Sequence, residues 1–210
     1  PFIINPTVSS VIIASGSYLT PYGNLTYTSS GINTLTTTGS TLYNPSNIII
    51  NTPIGSTFSG WYNITLALTE TITLASDLIC TNLLSFIGTN NTITISGAFN
   101  ISCASLNISN SDVVALVASK TLTVTNAIYM PGCFNGGTTC TMKVVSGTTP
   151  TKLVYTGTAP NCQVSAATFT YVNCTGGNPI YNFCGLSANE TGSTGIINFF
   201  APGVSGFFIQ

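Results

Sequence analysis

Residues 62–74 read YNITLALTETITL. Tyr62, Ile64, Leu66, Leu68, Ile72 and Leu74 share one parity, and Asn63, Thr65, Thr69, Thr71 and Thr73 take the other. Side chains alternate between the two faces of a strand, so this is the mark of a half-buried β-strand. Glu70 falls on the apolar parity, which places it inward or at a bulge or turn. The pattern spreads outward. Ile93, Ile95, Phe99 and Ile101 again share a parity, and Thr, Ile, Val, Tyr and Phe dominate the chain. Turn residues punctuate the runs at 21–24, 44–47, 52–55, 90–91, 131–132, 176–179 and 202–203. No stretch carries a sustained helical stripe with caps; residues 111–120, SDVVALVASK, are the best candidate and have room for a single turn. The expectation is an all-β fold, an Ig-like or jelly-roll β-sandwich of roughly ten or more short strands. The alternative is a parallel β-helix, for which residues 72–124 have the Thr/Ile/Asn flavour but no fixed period.

Charge is nearly missing. Only 3% of the 210 residues are charged, and there is neither His nor Arg. An ordinary soluble domain has about 25%. The inventory is Glu70, Asp77, Asp112, Lys120, Lys143, Lys152 and Glu190. Three scattered Lys cannot track a phosphate backbone, so nucleic acid is not an expected partner. With 44% hydrophobic residues the chain has core enough to fold, and its apolar runs are too short for a membrane-spanning helix. A surface of Thr, Ser, Asn and Tyr is insensitive to pH and salt, which suits an extracellular setting.

Catalysis has few parts to work with. Without His there is no Ser-His or Cys-His pair, and without Arg no carboxylate fork. The four acids are dispersed, neither Asp is followed by Gly, and no phosphate-binding Gly loop precedes a Lys. The chain is therefore read as a non-enzyme with no metal site and no cofactor beyond covalent N-glycans. Trp61, Tyr62 and the other tyrosines leave a sugar-binding adhesin module open as an alternative role, and a surface-layer lattice protein is another.

Seven Cys, at 80, 103, 133, 140, 162, 174 and 184, form no CxxC pair. Disulfides in an oxidising compartment are the expectation: Cys133–Cys140 across a Gly-rich turn, Cys80–Cys103 between neighbouring strands, and a third among Cys162, Cys174 and Cys184, leaving one over. Sequons for N-glycosylation stand at Asn24, Asn63, Asn90, Asn100, Asn107, Asn173 and Asn189. Asn63, Asn100 and Asn107 each oppose the apolar parity of their neighbours, so their glycans are expected to face solvent.

Both ends are apolar. Phe2, Ile4, Pro6, Val8, Ile12 and Ala14 share a parity across residues 1–14. Fully extended, 13 residues reach ~43 Å, longer than the usual strand of ~5–6 residues. Left unpaired, such a segment is an aggregation hazard. One reading makes it the first strand of its own sheet. The other, favoured here, makes it a donor strand that completes the sheet of the next subunit. The head would then be residues 15–210, with a Cys-rich lobe from about residue 131. Pro1 opens directly on the apolar run, as expected of a mature chain whose leader has been removed. The apolar C-terminal run, Ile196 to Phe200 and Val204 to Ile209, would serve as a core strand or line the acceptor groove.

The apolar start, scarce charge, Thr/Asn/Ile-rich strands, sequons and few Cys together resemble the subunits of archaeal threads, extracellular crenarchaeal filaments. The resemblance covers the whole chain in style and rests on no diagnostic motif. It implies β-rich glycosylated subunits joined through N-terminal donor strands, much as in chaperone–usher pili. In this chain residues 2–14 would be the donor and the sequon Asn residues the glycan sites. The implied function is a pilus-like homopolymer, head to tail, supporting adhesion or cell–cell contact.

Overall fold

The computed structural model describes residues 2–4, 10–12, 15–20, 24–27, 34–37, 39–43, 47–50, 57–58, 60–74, 77–88, 90–109, 112–131, 140–158, 161–165, 167–183 and 191–199. Among them every strand ladder is parallel. That corrects the expected sandwich, whose hairpins give antiparallel pairs. The architecture is that of the alternative, a coil of parallel β-strands.

One wall stacks β1 (Phe2–Ile4), β4 (Asn24–Tyr27) and β7 (Asn47–Ile50). Beside β7 lies β10 (Glu70–Thr73), followed by β12 (Thr92–Ser96), β14 (Val113–Leu116), β16 (Thr141–Val144) and β19 (Thr168–Thr170). A second, shorter stack is β2 (Ser10–Ile12), β5 (Thr34–Thr36) and β8 (Thr57–Phe58). The longest sheet has 11 strands. It starts at β3 (Tyr18–Leu19) and passes through β6 (Thr41–Tyr43), β9 (Trp61–Leu66), β11 (Leu78–Phe86), β13 (Ile101–Ile108) and β15 (Thr121–Pro131). It continues through β18 (Cys162–Ser165) and β21 (Ile180–Phe183) to β22 (Ile196–Phe199), with β17 (Thr151–Tyr155) and β20 (Val172–Asn173) alongside. Register shifts between Cys80 and Leu83, and between Cys103 and Ser105, bend β11 and β13 in the middle. The two halves of β15 pair separately, one with β17 and the other with β18.

Like residues stack on like inside the coil. Leu19, Leu42, Ile64, Leu84, Leu106, Ile128 and Cys162 are successive register partners. Ile93, Val114, Met142 and Phe169 make a second row, and Leu78, Ile101, Leu122 and Leu153 a third. From Leu42 to Ile128 the first row is buried, as are all of the second and third. Each buried aliphatic side chain contributes roughly 1.5–3 kcal/mol, and the rows keep the register from slipping, since a one-residue slip would turn them all outward.

Residues 62–74 form two strands and a corner. Ile64, Leu66, Ile72 and Leu74 are buried as their parity requires, whereas Leu68 lies on the corner and is exposed. Glu70 opens β10. The helical candidate is corrected too: its described part contains the strand β14, whose Val114, Ala115 and Leu116 are buried. No boundary appears at Pro131 among the described residues, because β16 to β22 extend the same sheets. Among the described residues no helix is long and apolar enough to cross a membrane.

Candidate functional site

The proposed donor segment is laid against its own chain. Phe2 pairs with Leu25, Ile3 with Thr26 and Ile4 with Tyr27. Ser10, Val11 and Ile12 pair with Thr34, Leu35 and Thr36. In this structure the described part of 1–14 is the first turn of its own coil, held by backbone ladders that an insertion into a neighbour would have to break. Pro6, Val8 and Ala14 lie outside the described residues.

Among the described residues the same geometry leaves edge strands at both ends of the stacks. β1, β2 and β3 are each the outermost strand of their stack. At the far end β22 closes the long sheet and β19 the other. An edge strand presents a row of backbone N–H and C=O groups without a ladder partner, which is a template for another chain. Tyr18, on β3, is 72% exposed and meets Tyr43 edge to face, centroids 6.3 Å apart. Ile197, on β22, is 43% exposed. These apolar side chains mark the two opposite edges of one sheet.

The exterior of the long sheet is a polar ladder. Asn63 Nδ2 donates to Thr41 Oγ1 at 3.4 Å, and Asn82 Nδ2 donates to Asn63 Oδ1 at 2.9 Å. Asn107 Nδ2 donates to Ser85 Oγ at 3.0 Å, Asn126 Nδ2 to Ser105 Oγ at 3.5 Å and Asn161 Nδ2 to Asn126 Oδ1 at 3.3 Å. Asn91 Nδ2 reaches the Ala67 carbonyl at 3.0 Å, and Asn178 Nδ2 the Gly157 carbonyl at 2.7 Å. Each of these amides donates to the preceding turn, so the ladder has a direction. Stacked Asn side chains of this kind also stabilise cross-β assemblies.

The sequons fall into distinct settings. Asn63 and Asn107 are half-buried with their amides in the ladder, so they are less free than their parity implied. Asn90 and Asn100 are exposed on turns. Asn173 is half-buried, and its Oδ1 accepts from both the amide and the hydroxyl of Thr175, at 2.8 and 2.7 Å. Asn24 opens β4, and its side chain is not described; Asn189 lies outside the described residues.

The bridges expected of the cysteines are not present among the described residues. Cys80, Cys103, Cys140, Cys162 and Cys174 are buried, and no disulfide joins any two of them; Cys133 and Cys184 lie outside the described residues. Cys80 and Cys103 are register partners on adjacent strands. Partners of that kind hold their Cβ atoms about one strand spacing apart, ~4.7–4.9 Å, beyond the ~3.8 Å typical of a disulfide. Cys140 faces inward, its Sγ donating to the Ile108 carbonyl at 3.2 Å. Burial pushes the Cys80 thiol up to about 11, and burial and the neighbouring Cys80 push Cys103 higher still.

The two described acids with defined side chains are committed to turns. Asp77 Oδ1 accepts from the Asn100 amide at 2.9 Å. Asp112 is fully buried and accepts from the Asn91 amide at 3.0 Å and the Ser109 hydroxyl at 3.3 Å. Burial raises its carboxyl above the usual range, and those two hydrogen bonds pull it partly back. Trp61, a candidate sugar platform, is 1% exposed and belongs to the core. The ladder residues Asn82, Asn91, Asn126 and Asn161, and the edge residue Tyr18, are not singled out by motif. Asn82, Asn91 and Asn126 fall on the apolar parity of their runs, so alternation hides them, and only Asn161 opposes its buried neighbours Cys162 and Val164. No protein-family model, curated protein or solved structure matches the chain.

Proposed function

We propose that this chain is an extracellular, N-glycosylated structural subunit whose copies stack head to tail into a pilus-like filament, each copy continuing the sheets of the last. The observation that carries the reading is that, among the described residues, β3 and β22 are the two outermost strands of one parallel sheet, each bearing an exposed apolar side chain, Tyr18 and Ile197. Joining β22 of one copy to β3 of the next extends the ladder without changing strand direction. Such a contact is heterologous and non-closing, so it propagates. The one-way amide ladder favours the same head-to-tail order, because donors on one copy then meet acceptors on the next. A nearly neutral exterior supports the reading as well, since little charge repulsion opposes close packing. The role is structural, in adhesion or cell–cell contact, with no catalytic turnover.

Electron microscopy of concentrated protein tests this. Fibres are expected, and Tyr18→Lys is expected to stop their growth, because a charge on an edge strand blocks pairing. Adding Ile197→Glu should restore growth by pairing the two new charges across the joint. A protein that stays monomeric at every concentration, or fibres indifferent to Tyr18→Lys, would sink the proposal.

A further inference from the structure

We infer that the folded chain takes glycans at Asn90 and Asn100 and leaves the sequons at Asn63 and Asn107 bare. The inference rests on the extracellular reading above and adds the choice of sites, which the sequons alone do not make.

N-glycosylation consumes the amide nitrogen. Nδ2 attacks the anomeric carbon of a lipid-phosphate-linked oligosaccharide. The N–C bond forms as the C–O bond to phosphate breaks; the lipid phosphate leaves with the electron pair, and the amide gives up one proton. The nitrogen must therefore be reachable and free of other bonds, and the sequon hydroxyl must be available to the transferase.

Asn90 and Asn100 meet the demand on the nitrogen. Each is exposed on a turn, and among the described residues the Nδ2 of neither has a hydrogen-bond partner. Asn100 is also held in place: its backbone N–H donates to Asp77 Oδ1 at 2.9 Å, and its Oδ1 accepts from the Thr121 amide at 3.0 Å. Those bonds use the carbonyl side of the amide and leave the nitrogen free. Asn90 sits at a backbone φ of 61°, a left-handed turn position that Asn tolerates. The two residues lie on either side of β12, so their glycans would flank the Thr-rich outer face of β10 and β12.

Asn63 and Asn107 fail. Their Nδ2 atoms are spent on Thr41 Oγ1 and Ser85 Oγ of the preceding turn, and Asn63 Oδ1 is held by Asn82. In the sequon of Asn107 the hydroxyl is spent too: Ser109 Oγ donates to the Phe86 carbonyl at 3.0 Å and bonds Asp112 Oδ2 at 3.3 Å. Modifying either residue would break ladder bonds on the outer face of the sheet.

The test is to incubate the purified, folded, unmodified chain with an oligosaccharyltransferase and a lipid-linked oligosaccharide, and to map the glycopeptides by mass spectrometry. Proteolytic peptides of the same chain are treated in parallel. In the folded chain Asn90 and Asn100 should be modified at least about tenfold faster than Asn63 and Asn107, roughly the cost of one lost hydrogen bond. In the peptides the difference should collapse. Equal rates at Asn63 or Asn107 in the folded chain overturn the inference. So does a preference that persists in the peptides, or a folded chain that accepts no glycan while its peptides do. The extracellular reading fails separately, if glycopeptide mapping of the protein isolated from its native source shows every sequon bare.

Discussion

At the scale of single residues, burial governs the chemistry more than residue type does. Cys80, Cys103 and Cys162 are inside the coil, and burial raises all three thiols, Cys80 to about 11, so little thiolate exists near neutrality. Iodoacetamide at pH 8 should therefore leave these three unmodified in the folded chain and label them in denaturant, read from their carbamidomethylated peptides. Asp112 is a second case. Its folded titration point lies above its unfolded one, so the folded chain holds that proton more tightly. The stabilisation is full below the ordinary carboxylate range and is lost as pH rises through the raised value. Acidification from neutrality should raise the denaturation midpoint, and Asp112→Asn should flatten that rise. Cysteine count and spacing suggested bridges because spacing carries no information about which side of a strand faces inward on neighbouring turns. Asn63 and Asn107 lie off the apolar parity of their neighbours. That their amides are already occupied depends on partners 22 residues away.

At the scale of elements, the strands are held by rows rather than by pairs. Leu84 lies between Ile64 and Leu106 in the continuous inner stack and is fully buried. Leu84→Ala should destabilise the fold by about 2–5 kcal/mol, since it opens a cavity flanked on both sides, measurable by urea denaturation. Corners are as demanding. Gly97 turns the chain between β12 and β13 at a φ of 96°, and a Cβ there would run into the Leu74 carbonyl oxygen of the preceding turn. Gly97→Ala should cost roughly 1–3 kcal/mol through backbone strain and that clash, whereas Gly147→Ala, with a φ of 76° but open space around it, should cost less. The individual strands were legible because alternation needs only local sequence. The two strands and corner within residues 62–74 were not, because the parity carries through from Leu66 to Ile72 while the chain turns to another wall.

At the scale of the whole molecule, near-neutrality sets the solution behaviour. With Lys+Arg 3 and Asp+Glu 4, long-range charge terms are small. Raising sodium chloride from about 0.01 to 1 M, which shortens the Debye length from ~30 to ~3 Å, should leave both the denaturation midpoint and the onset of fibre growth nearly unchanged. A midpoint that moved by tens of degrees would show that charge matters in this fold after all. The amino-acid sequence by itself determined that the chain is all-β, that its core is aliphatic and that its exterior is hydroxyl and amide, because alternation and composition act within a few residues. Only the tertiary structure decided that the strands run parallel, that the N-terminal segment folds back on its own chain, and which sequon amides remain free. Neighbouring turns are joined by bonds 19, 22, 24, 31 and 35 residues apart. The register keeps close to one step early in the coil, from Phe2 to Leu25, Leu25 to Ile48, Tyr18 to Thr41 and Leu78 to Ile101, and lengthens after β15, as from Ile128 to Cys162. Small offsets and these insertions blur the repeat in the sequence, and the partner of each strand is chosen by the stacking of inner rows.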